Sequence, residues 1–212
     1  MFRDRQQAGA ELGAELAKLG DLHDPVVLAL PRGGVAVAAE IARVLHAPLD
    51  LLIVRKIGAP GNPELAMAAV VDGDPPDVVV NREIAEFFRL TDEQLAELVQ
   101  VERPELERRR AIYLAGRKPI DLTDRSAIVV DDGVATGTTM AAALKALRRR
   151  GAREVVLAIP VAPAEVVAQL RQEADRTVCL SQPEHFRALG YHYLRFPQLS
   201  DKQVIDALEK AG

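Results

Sequence analysis

Short apolar runs alternate with amphipathic stretches along most of the chain. Val26–Leu30, Asp50–Arg55, Ala127–Val130 and Glu154–Pro160 are rich in branched residues and short, the pattern of strands buried on both faces. Between them the apolar spacing becomes helical. Arg3 to Leu19 sets Ala8, Leu12, Leu16 and Leu19 on one face and charges on the other, and Val35 to about Leu45 and the stretch from Met140 read as further helices. Strands alternating with helices predict an α/β fold built on a parallel sheet. Ala68–Asp72 and Val78–Val80, around Gly73-Asp-Pro-Pro76, predict a hairpin. Ile57–Pro63, rich in Gly, Pro and Asn, is too long for a simple turn and predicts a mobile loop. From Glu83 to Gly116 the chain turns charged and helical, with a capping box at Thr91 and Gln94 and a break expected at Pro104. Its charge run, Glu107 to Arg110, reads as a solvated or interface-forming helix face. Pro163 opens a later helix, and Ser200 with Gln203 caps a last one ending near Lys210.

Composition narrows the classes. With 212 residues, roughly half of them apolar, the chain can bury one substantial core, and a single domain spanning 1–212 is expected. A net charge of −4 with scattered basic residues offers no footprint for nucleic acid. Arg148-Arg149-Arg150 precedes Gly151 at a helix end, where cations complement the dipole, and reads as structural. The single cysteine, Cys179, lies in an apolar run and rules out an internal disulfide, which fits a reducing compartment. No apolar run approaches a membrane span and the first residues lack a signal-peptide core, so a cytoplasmic protein is expected.

Candidate chemistry concentrates at two strand ends. After Val130 come Asp131 and Asp132, at the edge of an α/β sheet where ligands bind. Gly133-Val-Ala135-Thr136-Gly137-Thr138-Thr139 then leads into a helix, and its small residues, hydroxyls and free amides form a cradle for an anion. A Walker loop would need Gly-Lys-Ser/Thr where Gly137 is followed by Thr138. A dinucleotide fingerprint would need its glycines where the two aspartates stand. A turn without a ligand would gather paired acids beside a Gly/Thr loop to no purpose. A second such turn follows the first strand: Arg32-Gly33-Gly34 exposes amides beside an arginine, unless that arginine is merely solvated. Arg55 and Lys56 bring two more cations to the end of the next run, again with a solvated strand end as the alternative. Glu64 receives no role.

Ala127–Thr139 resembles the phosphoribosyl-pyrophosphate (PRPP) motif of type I phosphoribosyltransferases, and Pro31–Gly34 is similar to the pyrophosphate loop of the purine-salvage members. The resemblance implies a doubly wound, mainly parallel sheet with a helical insertion at about 83–116 and a C-terminal hood at about 181–212. It implies that Asp131 and Asp132 are the catalytic acids at the ribose hydroxyls. Ala135, Thr136, Gly137, Thr138 and Thr139 would then hold the 5′-phosphate, and Arg32, Gly33, Gly34, Arg55 and Lys56 the pyrophosphate. The implied reaction moves 5-phosphoribosyl from PRPP to a nitrogenous base in nucleotide salvage, releasing pyrophosphate. Mg²⁺ would be bound through PRPP and water, with no direct protein ligand. The segment from Gln182 to Pro197 is rich in aromatics: Phe186, Tyr191 or Tyr193 either stack on a flat acceptor or cover the sheet edge. It matches no base-specific subtype. His185 and His192 lack metal-ligand spacing. A PRPP-sensing regulator without catalysis is the alternative function, and the helical insertion is where a homodimer would form.

Overall fold

The computed structural model describes residues 1–59, 61–73, 76–114 and 116–211, and the side chains of all of these except Pro63, Glu64 and Ala211. Within them the chain forms a five-stranded parallel sheet and a separate three-stranded antiparallel sheet. The large sheet contains β1 (Val26–Ala29), β2 (Leu49–Leu51), β6 (Ser126–Val130), β7 (Glu154–Val161) and β8 (Arg176–Ser181), ordered β2-β1-β6-β7-β8. The chain leaves β1 in one direction to build β2 and later returns to β1's other side to build the rest. The strand order therefore reverses between β1 and β6, and in an open α/β sheet ligands bind in the crevice at that reversal.

Alternation explains the two faces. Val27, Ala29, Ile128, Val130, Val156 and Ala158 join one core cluster, while Val26, Leu28, Ala127, Val129, Val155 and Leu157 join the other. The first face is covered by α1 (Arg5–Ala17) and α2 (Gly34–Leu45), whose residues Leu12, Leu16 and Ile41 are fully buried. The second is covered by α5 (Thr138–Arg149) and α6 (Ala164–Leu170). Of the three arginines ending α5, Arg148 pairs with Asp175 and Arg150 with Asp77, so their role is structural.

Three expectations need correction. The run from Asp50 to Arg55 is two strands in two sheets: Leu52 N–H still donates to Ala29, but Val54 starts β3 (Val54–Ala59), which pairs with Val71. The stretch from Ile57 to Pro63 is a hairpin arm joining β3 to β4 (Asn62–Val71), with register shifts at Gly58; Pro60 and the Glu64 side chain lie outside the described residues. The predicted hairpin of β4 with β5 (Asp77–Val80) is present, though Asp74 and Pro75 also lie outside. Pro104 does not break the insertion, which consists of α3 (Arg82–Phe87) and a 23-residue α4 (Asp92–Leu114) running through it. Buried Leu95 before the proline and Leu106, Tyr113 and Leu114 after it anchor both halves, which offsets the lost main-chain bond. The capping box forms, with Thr91 N–H donating to Gln94 Oε1 and Gln94 N–H to Thr91 Oγ1.

The C-terminal segment crosses the sheet edge beyond β6, makes a 3-10 turn at Leu189–His192 and ends in α7 (Asp201–Ala211), packed on α2 and β2. The Ser200–Gln203 cap forms as expected. No helix among the described residues is long and apolar enough to cross a membrane.

Candidate active site

Two helices start at the reversal point without a side-chain cap. α2 begins at Gly33 and α5 at Gly137, and neither has an acidic residue in its first turn. The first-turn amides of a helix have no intrahelical acceptor, so both ends present the positive pole of a dipole, but at α2 the Gly34 and Val35 amides already donate to Leu30 O at 3.1 Å and Arg32 O at 3.3 Å, and the α5 end is the more open donor. The sequence uses caps elsewhere: Asp4 accepts from Gln7 N–H at α1, and Asn81 accepts from Ile84 N–H at α3. In the loop feeding α5, Gly137 has φ +79°, a left-handed conformation that suits glycine, and this turns the chain into the helix. Ala135, Thr136 and Thr138 are exposed, Thr139 is half-buried, and Val134 N–H anchors the loop to Val161 O at 3.0 Å.

The acids lie between these helix ends. Asp131 is half-buried and Asp132 buried, and Asp131 Oδ1 accepts the Asp132 amide at 2.8 Å. Burial and then the neighbouring Asp132 carboxylate push the Asp131 carboxyl above the usual carboxylate range. The two loops touch. A Cβ on Gly33 would overlap Asp132 Oδ2, and one on Gly34 would lie 2.7 Å from Val130 O. Only glycine allows the first loop to pass this close to the acidic edge.

The predicted cations separate. Arg32 projects from the first loop and lies 3.7 Å from Asp201 at the start of α7, which also accepts the Tyr113 hydroxyl at 2.7 Å. Arg55 and Lys56 are consecutive on β3, so their side chains leave opposite faces of the small sheet and cannot serve one site together. Arg55 turns to the helical insertion, where Nε and Nη2 both donate to Glu102 Oε2, at 2.9 and 2.7 Å. Lys56 is on the other face, opposite Ala69 in the ladder.

The aromatic candidates also separate. Tyr193 is buried, with its ring against Phe2 and Phe196 and its hydroxyl donating to Asp132 O at 2.6 Å, so its ring is not available to stack on a base. Phe186 is half-buried and stacked on His192, while Tyr191 is exposed. Leu189 packs over Gly133, where any Cβ would overlap it, so this segment does cover the second loop.

Two site residues escaped the sequence. Arg5, expected among the exposed charges of α1, is buried, and its Nε donates to Asp132 Oδ2 at 2.7 Å. A signal was present: Arg5 stands three, seven and eleven residues before Ala8, Leu12 and Leu16, on the apolar face, and a charge there requires a buried partner. Asp201 left no signal beyond a helix-start acid.

The phosphoribosyl transferase domain family matches residues 3–192, an interval that holds both loops, the paired acids and Arg5. The chain belongs to this family. A Mycobacterium tuberculosis protein (strain H37Rv), provisionally named a phosphoribosyl transferase, is 43% identical over 211 residues; the match takes in 100% of this chain and 47% of that protein. The chain thus spans about half the length of the curated relatives it matches. The crystal structure of TT1426 from Thermus thermophilus superposes with a TM-score of 0.88 at 44% identity, covering 99% of this chain and 98% of that one. The AQ2163 protein of Aquifex aeolicus, at a TM-score of 0.54 and 11% identity, covers 96% of this chain and 83% of its own and shares the fold. As a phosphoribosyl transferase domain, the chain has the α/β architecture with a central parallel sheet that its sequence pattern predicts.

Proposed function

We propose that this domain transfers 5-phosphoribosyl from PRPP to a nitrogenous acceptor and releases pyrophosphate. The observation that carries the reading is the pair of uncapped helix ends flanking two carboxylates at the sheet's reversal point. A substrate with a phosphate at one end, a pyrophosphate at the other and hydroxyls between them suits that order of groups. The α5 end, with Ala135 to Thr139, takes the 5′-phosphate. The α2 end, with Arg32, Gly33 and Gly34, takes the pyrophosphate, and Lys56 is the second cation. The acidic edge at Asp131 and Asp132 takes the ribose hydroxyls.

The acceptor nitrogen attacks C1 of the ribose as the bond from C1 to the pyrophosphate oxygen breaks, the bonding pair leaving with pyrophosphate. Holding both phosphate ends aligns the ring for this displacement, and the Arg32 guanidinium with the positive end of the α2 dipole stabilises the charge that grows on the leaving group. The carboxylate edge favours positive charge on the ring. Mg²⁺ would arrive bound to PRPP oxygens and water, the coordination that suits a small hard cation carried on a phosphate substrate. When bound, it would neutralise pyrophosphate charge. Tyr191 and Phe186 are the aromatic faces left for a nucleobase, which would place the reaction in nucleotide salvage. The helical insertion, which exposes Phe87 and Val101, is assigned as the surface of a homodimer.

Calorimetric titration with Mg²⁺ and PRPP, followed by a screen for pyrophosphate release across bases and amines, tests the reading. Binding with release for one acceptor supports the transferase and names its acceptor. Binding without turnover for any acceptor favours a PRPP-sensing regulator, and no PRPP binding refutes both.

A further inference from the structure

Arg5 takes no part in the chemistry proposed above, yet it is only 8% exposed and tied to one of the two acids. Besides the Asp132 contact, Nη1 donates to Pro197 O at 2.7 Å, and the guanidinium carbon lies over the Phe196 ring, 3.7 Å from its centroid. Phe196 stacks on Tyr193 with centroids 4.9 Å apart, and the Tyr193 hydroxyl donates to Asp132 O. Asp132 is therefore gripped twice, at its carboxylate by Arg5 and at its main chain by Tyr193. The backbone of Gly33 closes a further side of the carboxylate.

Asp131 sits differently. Its Oδ1 accepts one amide, no arginine or lysine pairs with it among the described residues, and it keeps more solvent exposure than its neighbour. An acid that is enclosed and paired cannot turn toward a ligand without leaving a buried cation unmatched, whereas the neighbouring acid can. Lysine would not serve, because the planar fork reaches Asp132 and Pro197 together while stacking on Phe196.

We propose that Arg5 is a positioning residue that divides the labour of the two acids. It holds Asp132 as a neutralised brace between the two loops and leaves Asp131 to receive the ribose hydroxyls. The inference rests on the PRPP reading given above. It extends the site to the first helix and to the segment that carries Tyr193, Phe196 and Pro197.

The test is calorimetric titration of wild type, Arg5→Met, Asp132→Asn, Asp131→Asn and Arg5→Met/Asp132→Asn with two probes, Mg²⁺-PRPP and Mg²⁺-pyrophosphate. Pyrophosphate has no ribose, so a positioning role predicts about tenfold weaker PRPP binding in Arg5→Met with pyrophosphate changed by less than about twofold. In the Asp132→Asn background the same change should cost less than about threefold, because the residue through which Arg5 acts is already altered. Asp131→Asn should weaken PRPP by about tenfold or more. Should Arg5→Met fail to fold, Arg5→Lys, which keeps the charge but not the fork, and the double variant, which removes both charges together, carry the comparison. Equal losses for the two probes, or unchanged PRPP binding in Arg5→Met, overturn the inference alone. A wild type that binds no PRPP overturns the transferase reading and this inference with it.

Discussion

Tyr193 donates its phenol hydrogen to the main-chain carbonyl of Asp132 across 2.6 Å, joining the aromatic C-terminal segment to the acidic edge of the sheet. Burial, and then the nearby Asp132 charge, push the phenol well above its ordinary value, so it stays a donor at any pH the fold tolerates. Tyr193→Phe would keep the ring packing and leave the carbonyl buried without that partner. The expected loss is about 1–3 kcal/mol of unfolding free energy in a urea titration, with weaker PRPP binding. A variant as stable as wild type would mean that the carbonyl finds another donor.

Asp131 should be a liability for stability. Its carboxyl is raised in the folded state, so folding favours the protonated form. The contribution is therefore favourable at pH values below the ordinary carboxylate range and is lost as the pH rises through the raised value. Above that window the burial that raises the carboxyl costs stability. Asp131→Asn should accordingly raise the melting temperature at neutral pH, by the equivalent of about 1 kcal/mol, with the gain vanishing in acid, while PRPP binding falls. Calorimetric melting across pH checks the sign, and a neutral-pH loss of stability would contradict it.

Gly33 is required by contact and not by conformation. Its φ of −58° suits any residue, but a Cβ would overlap the Asp132 carboxylate. Gly61 is the reverse case, with φ +75° and nothing within 4 Å of its Cβ position. Gly33→Ala should displace Asp132 or the loop, costing about 1–3 kcal/mol and the PRPP site together. Gly61→Ala should cost about 1–2 kcal/mol of backbone strain and leave equilibrium PRPP affinity within about twofold. Paired denaturation and titration curves separate the two.

Arg32 shares the Asp201 carboxylate with Tyr113. The pair is partly exposed and 3.7 Å long, so it is weak, and it competes with any anion that arrives at the first loop. Asp201→Asn should tighten pyrophosphate binding by about threefold, an effect that fades with added salt. Weaker binding would show that Asp201 orients Arg32 instead of restraining it.

Arg55 and Lys56 should part company. With Arg55 engaged by Glu102, Arg55→Gln is expected to loosen the helical insertion by up to about 1 kcal/mol and to leave pyrophosphate affinity unchanged. Lys56→Gln should lower that affinity. A titration in which both variants lose affinity equally would restore the pairing that their adjacency in sequence suggests.

The local code of this protein is legible in its residues. Branched apolar runs mark β1, β6 and β7, helical spacing marks α1, α2 and α5, and two acids followed by a Gly/Thr loop mark the turn that leads from β6 into α5, because each depends on neighbours within a few residues. The capping boxes at Thr91 and Ser200 are local in the same way and formed as expected. What the sequence could not decide is which distant groups share an environment. Whether Pro104 breaks a helix depends on the packing of Leu95 and Leu106, and whether Arg55 meets a ligand depends on where Glu102 arrives. Tyr193 lost its place as a base-stacking ring, and Arg5 its place in solvent, through contacts across 61 and 127 residues of chain. Spacing announces the turn and its paired acids, but the charge balance around them is a property of burial and of partners brought together only when the sheet closes.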